Sequence, residues 1–397
     1  MARSAHTPAR FPAHFPDYSG GGFVNLMASV AAVCGGAPRH PTLSALPPAE
    51  LAGARNIVLM IVDGLGDRYV AAHGAGGNLA RHRRSSISAV FPSTTASAIT
   101  TSFTGATPLE HGLTGWFTYF SEAGCVAAPL PFCSRGDKRS LAARGVEPGR
   151  LFTQASLFDA LAVRTIVVSY RQIIDSEYNR HHCGGAERRA YDKLEGFVGE
   201  VEGAVRSGTE RKFIYAYWPE FDRLAHRHGV ASAEVRAHFD EVDVAFGEIL
   251  ARLAGTETLV VATADHGFID SGPEESLALE DAPGLAALLR FPLCGERRVA
   301  FCHVQEGRSG EFIARAQDWL GGRAVVRPSR ELAEEGWFGP GRAHPRLAER
   351  IGDVALVMNG DYTVKDWVAG EPRHLHIGNH GGTSAQEMLI PLIVGSA

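Results

Sequence analysis

The chain has 397 residues, enough for a large buried core and more than one average domain. Hydrophobic residues make up 45% and charged residues 21%, a globular composition that excludes a largely disordered chain. The net charge is −5, from 39 basic and 44 acidic residues, and no long basic run occurs. Duplex nucleic acid is therefore not expected as a partner, because it requires a basic surface.

Residues 1–50 are predicted to form an N-terminal arm followed by a short helix at residues 23–33. The first 22 residues contain three prolines and lack an apolar stretch of signal-peptide length. No segment approaches the roughly 18 apolar residues of a membrane span. The six cysteines are scattered without a CxxC pair, which is typical of reduced thiols. We expect a cytoplasmic protein without a membrane span, with a periplasmic or secreted location left open.

Four short apolar runs predict strands that are covered on both faces: residues 56–62, 165–169, 213–217 and 258–262. Helical patterns lie between them, at residues 151–162, 186–205 and 233–253. This alternation predicts an α/β fold, an α/β/α sandwich with a mostly parallel central sheet.

The alternation stops near residue 270. Strand-like segments at 299–304 and 354–358 and a helix-like segment at 310–320 are separated by loops that contain glycine and proline. We interpret residues 271–375 as a smaller inserted cap region. It divides the catalytic core into a first part, residues 51–270, and a last part, residues 376–397, to which an apolar strand at 387–394 contributes.

Acidic residues follow three of the predicted strands. Asp63 follows residues 56–62, Asp222 comes shortly after residues 213–217, and Asp265 comes shortly after residues 258–262. Ligands of parallel sheets collect beyond the carboxyl ends of the strands, so these three carboxylates are expected to converge.

Histidines accompany the carboxylates. Asp222 and His226 are four residues apart, which places them on one face of a helical turn. His266 directly follows Asp265, and His380 stands in GNHGG, where small neighbours allow a metal to approach. His374 and His376 are rival ligands to His380. Three carboxylates and three imidazoles supply two sets of three ligands, enough for two catalytic metals that each keep an open position. Mixed aspartate and histidine ligands favour zinc and leave manganese or iron open.

The segment FPSTTASAITTSFTG offers a hydroxyl nucleophile. Serine and threonine are favoured where a helix begins, and the positive end of a helix favours a phosphate group. A metal-bound hydroxyl there would lose its proton more readily and attack phosphorus. The alternative is that Thr94 or Thr95 only caps the helix.

These motifs, in this order, resemble the alkaline phosphatase superfamily, and within it the nucleotide pyrophosphatase/phosphodiesterase branch. The shared features are DG after the first strand, FPSTT followed by TG, D-x-x-x-H-x-x-G, ADHG and HGG. The resemblance covers about residues 55–270 and 376–395. It implies an α/β/α sandwich and two zinc ions, one held by Asp63, Asp265 and His266 and the other by Asp222, His226 and His380.

The resemblance also implies a nucleophile ten residues before the glycine of TG, which selects Thr95 over Thr94. In that family the nucleophile lies between the metals and forms a phosphothreonine intermediate. The sequence departs from the diesterase relatives in TGATPLEHGLTGWF, where Gly115 or Trp116 stands in place of an asparagine that donates to a phosphate oxygen. Trp116, and Arg171 after residues 165–169, are candidate substrate-binding residues.

The leading hypothesis is a zinc-dependent phosphodiesterase or nucleotide pyrophosphatase. Its substrate would be a small phosphoester, and nucleotides are among the candidates. Other enzyme hypotheses are a phosphomonoesterase, a phosphonate hydrolase and a manganese enzyme similar to phosphoglycerate mutase, which the HGGTSAQEMLIPLIV tail resembles. A metal-binding scaffold without activity is the hypothesis from a different class. The substrate and the oligomeric state stay open.

Overall fold

The computed structural model describes residues 13–371 and 373–397. Residues 1–12 of the predicted arm lie outside the described residues. The strands, numbered along the chain, are β1 Asn56–Val62, β2 Arg83–Ser88, β3 Thr118–Phe120, β4 Cys125–Ala128, β5 Cys133–Ser134, β6 Arg164–Tyr170, β7 Glu187–Tyr191, β8 Lys212–Trp218, β9 Thr258–Thr263, β10 Ile269–Asp270, β11 Ser276–Ala278, β12 Cys294–Gly295, β13 Val299–Cys302, β14 Ala324–Pro328, β15 Val354–Met358, β16 Thr363–Lys365, β17 Gly378–Asn379 and β18 Leu389–Ser396.

Helices connect most of these strands. They are α1 Phe23–Val33, α2 Pro48–Ala52, α3 Asp67–His73, α4 Asn78–His82, α5 Thr95–Thr104, α6 Pro108–His111, α7 Pro148–Leu151, α8 Glu177–Cys183, α9 Leu194–Arg206, α10 Glu220–His228, α11 Ala233–Arg252, α12 Pro283–Ala286, α13 Ser309–Leu320, α14 Ser329–Glu334, α15 Leu347–Ile351 and α16 Ala385–Met388. Within residues 13–371 and 373–397, each helix is too short or too polar to cross a bilayer.

The central sheet has seven strands in the order β2-β18-β9-β1-β8-β6-β7. Strands β9, β1, β8, β6 and β7 run parallel to one another, and β18 is antiparallel to both β9 and β2. Every residue of β1 and of β8 is buried, as expected for strands with helices on both faces. The predicted α/β/α sandwich with a mostly parallel sheet is confirmed.

The cap region contains a second sheet. Four antiparallel strands in the order β12-β13-β15-β14 pack with α13 around their own apolar cluster, which includes Phe312, Leu320 and Leu356. The cap reaches the core through β12, because Gly295 exchanges backbone hydrogen bonds with Phe117 at 2.6 and 3.3 Å. A side chain at Gly115 would lie 2.4 Å from the Gly295 Cα, so this contact requires glycine. The boundaries of the four predicted segments stay a prediction.

Two helix predictions were wrong. Residues 151–162 are mostly loop, because α7 ends at Leu151 and the backbone N–H of Leu157 then donates to the Phe103 carbonyl at 2.7 Å. Residues 186–205 contain strand β7 before α9 begins at Leu194. Strand β7 pairs in parallel with β6 at the edge of the sheet, and this tertiary pairing outweighs the helical pattern of the sequence.

A buried ion pair joins the cap to the last part of the core. Arg298 donates to both carboxylate oxygens of Glu387 at 3.1 Å, and both side chains are almost fully buried. Glu387 also accepts from the backbone N–H of Gly382, two residues beyond His380, at 2.7 Å. This pair therefore anchors the loop that carries a candidate ligand.

We expect Arg298→Met to destabilise the fold by about 3–5 kcal/mol, because it leaves the buried Glu387 carboxylate without its cation. The control is Arg290→Met, whose exposed partner Asp353 lies 3.5 Å away and whose loss should cost less than about 1 kcal/mol. Urea unfolding measures both free energies. Equal losses for the two variants would contradict an anchoring role for Arg298.

Candidate metal and active site

Three carboxylates meet beyond the carboxyl ends of β1, β8 and β9, as predicted. Asp63 directly follows β1, the central strand of the three, and its backbone N–H donates to the Trp218 carbonyl of β8 at 2.9 Å. Asp265 follows β9 and accepts from the Gly64 N–H at 3.0 Å. Asp222 lies in the first turn of α10, four residues after the end of β8, on the helical turn expected from its spacing to His226. The turn at Pro219 brings it back over the sheet edge.

Three histidines turn the same ring nitrogen, Nε2, toward these carboxylates. The Nδ1 atoms of His226, His266 and His380 lie 2.9, 3.1 and 3.2 Å from backbone carbonyls of Gly378, Gly267 and Ser93. A carbonyl accepts only, so each Nδ1 carries the hydrogen and each Nε2 presents a lone pair. Histidine ligands of metals are oriented in this manner by their second nitrogen.

The facing atoms form two overlapping groups with metal-ligand chemistry. One oxygen or nitrogen atom from each of Asp63, Asp265 and His266 lies within 4.8 Å of the others, which agrees with the first predicted set. The second group in the structure is Asp222, His266 and His380. His226, predicted for that set, lies beside it, with its Nε2 3.4 Å from Asp222 Oδ1 and 3.3 Å from His380 Nε2.

The carboxylates carry unsatisfied atoms at the centre of this cluster. Asp222 Oδ1 and Asp265 Oδ2 are buried and have no hydrogen-bond partner among the described residues. A buried carboxylate oxygen without a donor is costly, and a cation satisfies it. The donor set of aspartate oxygens and imidazole Nε2 atoms therefore fits divalent metals of the zinc type.

Burial dominates the electrostatics of the cluster. It raises the pKa of Asp63 to about 6 and that of Asp265 to about 7, and in Asp265 repulsion from Asp63 adds to the shift. Burial and repulsion from both neighbours raise the pKa of Asp222 well above its usual range. Burial lowers the pKa of His226 to about 4, so this imidazole is neutral near pH 7. Neutral imidazoles offer lone pairs to a cation, and a bound cation would stabilise the ionised form of the buried carboxylates.

Thr95 lies at the start of α5 and reaches the same cluster. Its Oγ1 is 3.1 Å from His266 Nε2 and 3.5 Å from Asp63 Oδ1. The neighbouring Thr94 is the N-cap residue, and its hydroxyl donates instead to Glu296 of the cap at 2.5 Å. Of the two threonines, Thr95 is the one that contacts candidate ligands.

Two cavities open on either side of Thr95. One, of about 360 Å³, lies between the cluster and the cap, and the other, of about 660 Å³, lies against β6, β8 and α8. Trp116 lines both, and its role in substrate binding stays a prediction. Arg171 lines only the larger cavity, where it is mostly exposed and pairs with Asp192 at 2.9 Å.

The rival histidines do not join either ligand group. The His376 ring lies 4.4 Å from the His226 ring, and His374 Nε2 lies 3.2 Å from His376 Nε2. Both line the smaller cavity. Of the three histidines compared in the sequence, His380 is the one that faces Asp222, at 3.7 Å.

Sequence reasoning missed two residues that hold the site. The Tyr217 hydroxyl donates to the second oxygen of Asp63, and its position one residue before the end of β8 was the only signal. Glu296 accepts from the Trp116 N–H at 2.6 Å as well as from the Thr94 hydroxyl. It belongs to the cap, and no motif marks it.

The sequence of residues 57–383 matches the family model of type I phosphodiesterases/nucleotide pyrophosphatases. The chain therefore belongs to this family, and it is a hydrolase that acts on phosphoester bonds. No curated protein sequence matches it.

Solved structures share the fold. Human ectonucleotide pyrophosphatase/phosphodiesterase 5 is 15% identical with a TM-score of 0.64, and the match covers 85% of this chain and 87% of that one. The murine protein, solved also as an inactive variant with AMP, is 16% identical with a TM-score of 0.62 and the same coverage. Phosphonoacetate hydrolase from Sinorhizobium meliloti 1021 is 17% identical with a TM-score of 0.62, covering 86% of this chain and 90% of that one.

We expect metal affinity to rise with pH between about 5 and 8. In the metal-free protein Asp63 and Asp265 still hold protons near pH 6, because their pKa values are raised to about 6 and about 7. A metal binds their deprotonated forms, so binding at pH 6 should release protons and binding at pH 8 should release few. Zinc titration calorimetry in buffers of different ionisation enthalpy measures this release. Equal release at both pH values would contradict these carboxylates as ligands.

Proposed function

We propose that the protein hydrolyses phosphodiester or pyrophosphate bonds of a small substrate, with Thr95 as nucleophile at a site for two metal ions, zinc above all. The observation that carries this proposal is the position of the Thr95 hydroxyl. It lies at the start of a helix, within 3.5 Å of one candidate ligand from each of two sheet strands, Asp63 after β1 and His266 after β9. Membership of the phosphodiesterase family supports the reaction class.

The proposed ligand sets are Asp63, Asp265 and His266 for one ion, and Asp222, His226 and His380 for the other. Bound ions would supply positive charge to the phosphate oxygens and lower the pKa of the Thr95 hydroxyl. The buried oxygens of Asp222 and Asp265 that have no donor support this assignment.

The chain's own groups orient the reaction. The first N–H groups of α5 have no acceptor within the helix, and together with the helix dipole they favour a phosphate beside Thr95. Thr95 Oγ1 loses its proton and forms the bond to phosphorus while the bond to the leaving oxygen breaks in line with it, and the leaving oxygen departs with a proton. The intermediate is an ester of Thr95 that keeps the remaining substituent on phosphorus. Water then cleaves the Thr95–phosphorus bond and releases the phosphate monoester, so that one water is consumed for each bond cleaved. The two cavities beside Thr95 leave room for a group on each side of the phosphorus.

A phosphonate hydrolase or monoesterase of the same superfamily is the second candidate. The observation that favours it is Trp116, which stands in the region where diesterase relatives carry an asparagine and which lines both cavities. Rates on a matched panel of diesters, pyrophosphates, monoesters and phosphonates separate the two. A diester or pyrophosphate preference is expected.

We expect Thr95→Ala to lower kcat on bis-p-nitrophenyl phosphate by roughly 10³-fold or more, because the nucleophile is lost. Thr94→Ala is the matched control. It removes a hydroxyl that contacts Glu296 and no candidate ligand. Its kcat should therefore fall by no more than about tenfold, the effect of one lost hydrogen bond. Comparable activity of Thr95→Ala and the unaltered enzyme would contradict the mechanism.

Trapping gives an independent readout. Rapid acid quench of the metal-loaded enzyme with a diester substrate should leave the phosphoryl group, with the substituent that stays on phosphorus, on the peptide that contains Thr95, detectable by mass spectrometry. We expect no such modification after chelation, and restoration of both labelling and turnover when zinc is returned. Full turnover in the chelated protein would exclude a metal requirement.

A further inference from the structure

The smaller cavity between Thr95 and the cap is lined by an excess of cations. Arg135, Lys138, Arg297 and Lys365 all contribute to its wall. Outside the candidate metal ligands, the carboxylates in the wall are Glu296, Asp366 and Glu371. These side chains add positive charge to the wall of a cavity of about 360 Å³, which favours an anionic group there.

Arg135 is fully engaged by the protein. It pairs with Asp366 at 2.7 Å and with Glu371 at 2.8 Å, and it lies over the Phe117 ring at 4.4 Å. These contacts consume the two carboxylates that face the cap side of the cavity. Lys365 shares Glu371 with Arg135 at 3.8 Å, and Arg297 has no ion pair among the described residues.

Arg297 is the cation that this arrangement leaves over. It is half-buried, forms no ion pair with any of the described residues, and donates only to the His374 carbonyl at 3.4 Å. Burial lowers its pKa to about 10. Glu296 and Glu371 attract the Arg297 guanidinium from beyond ion-pair distance, and its partial burial without a hydrogen-bonded carboxylate favours an added anion. Its planar donor pairs suit a carboxylate or phosphate.

Lys365 lies next to Arg297. The backbone N–H of Val364 donates to the Arg297 carbonyl at 2.9 Å, so strand β16 holds the two side chains in adjacent segments. The Lys365 ammonium lies 3.8 Å from Glu371, which already binds Arg135, and 4.3 Å from the centre of the Trp367 ring. Burial and repulsion by Arg297 lower the pKa of Lys365 to about 8. Arg297 and Lys365 therefore lie in neighbouring segments of the cavity wall.

We propose that Arg297 and Lys365 form a subsite for a second anionic group, a carboxylate or a phosphate, carried by the leaving group of the substrate. The inference rests on the proposed function, because Thr95 in the same cavity marks the reacting phosphorus. The substrate class is then a phosphoester whose leaving group is itself an oxyanion, small enough for this cavity. A neutral alcohol would leave the Arg297 guanidinium without an ion pair and Lys365 with only its share of Glu371.

The test compares methyl aryl phosphates whose aryl group carries a neutral ethyl, a carboxymethyl or a phosphonomethyl substituent, at the meta or para position. The methylene insulates the charge, so the three phenols leave with nearly equal ease. The variants are Arg297→Met, Arg297→Lys and Lys365→Met. Arg315→Met is the control, since it removes a cation of the cap that pairs with Glu311 outside the cavity.

We expect kcat/KM for at least one anionic substrate to exceed that for the neutral one by about tenfold or more, the size of a charge-assisted hydrogen bond. Arg297→Met and Lys365→Met should each remove most of this preference, taken as the ratio of kcat/KM for the anionic substrate to kcat/KM for the neutral one in the same variant. Arg297→Lys should restore part of it, and Arg315→Met should keep it. The carboxymethyl and phosphonomethyl arms identify which anion is preferred.

Binding to the Thr95→Ala variant provides a readout that needs no turnover. Calorimetry should show tighter binding of the same anionic substrate, lost when Arg297→Met is added. An enzyme that turns over all three substrates equally, or a preference unchanged in both Met variants, overturns the subsite. Retained turnover in Thr95→Ala overturns the proposed nucleophile, and the binding comparison still decides the subsite.

Discussion

The site depends on the convergence of three largely buried carboxylates at one edge of the central sheet. Asp63, Asp222 and Asp265 are drawn together because β1 lies between β8 and β9 in the sheet. Burial raises the pKa of all three, and repulsion from neighbouring carboxylates adds to the shift in Asp222 and Asp265, so without a counter-charge their ionised forms are disfavoured. The surrounding groups compensate in two ways: Tyr217 and Gly64 donate to the carboxylates, and histidines offer neutral nitrogens for a cation.

The cap extends this arrangement and is not a separate unit beside it. Arg298 ties it to Glu387 beneath the His380 loop, and Glu296 ties it to Thr94 and to the Trp116 backbone. Both ties come from the short segment that joins β12 to β13. The same segment contributes Arg297 to the cavity wall. A single turn of the cap therefore supports the loop, faces the nucleophile and lines the proposed anion subsite.

The sequence predicted the parts that follow from local pattern. Strand β1 and helix α1 have the predicted bounds, and Asp63 and Asp265 follow their strands because an apolar run with an acid after it has few other solutions in a parallel sheet. Asp222 and His226 share a helix face as their spacing requires.

Contacts between distant segments could not be predicted in this way. Trp116 and Glu296 are 180 residues apart, and nothing local in GERR indicates that it meets TGWF. The position of β7 depended on its pairing with β6, which outweighed a helical pattern. The division of ligands between two ions also requires coordinates, because His266 lies close enough to Asp222 and His380 to belong to either group.

Anomalous X-ray diffraction from crystals of the zinc-loaded protein, recorded on both sides of the zinc edge, tests the central assignment most directly. We expect two zinc peaks flanking the Thr95 hydroxyl, one contacted by Asp63, Asp265 and His266 and the other by Asp222, His226 and His380. A single peak, or zinc bound away from Thr95, would contradict a two-metal site built around this nucleophile.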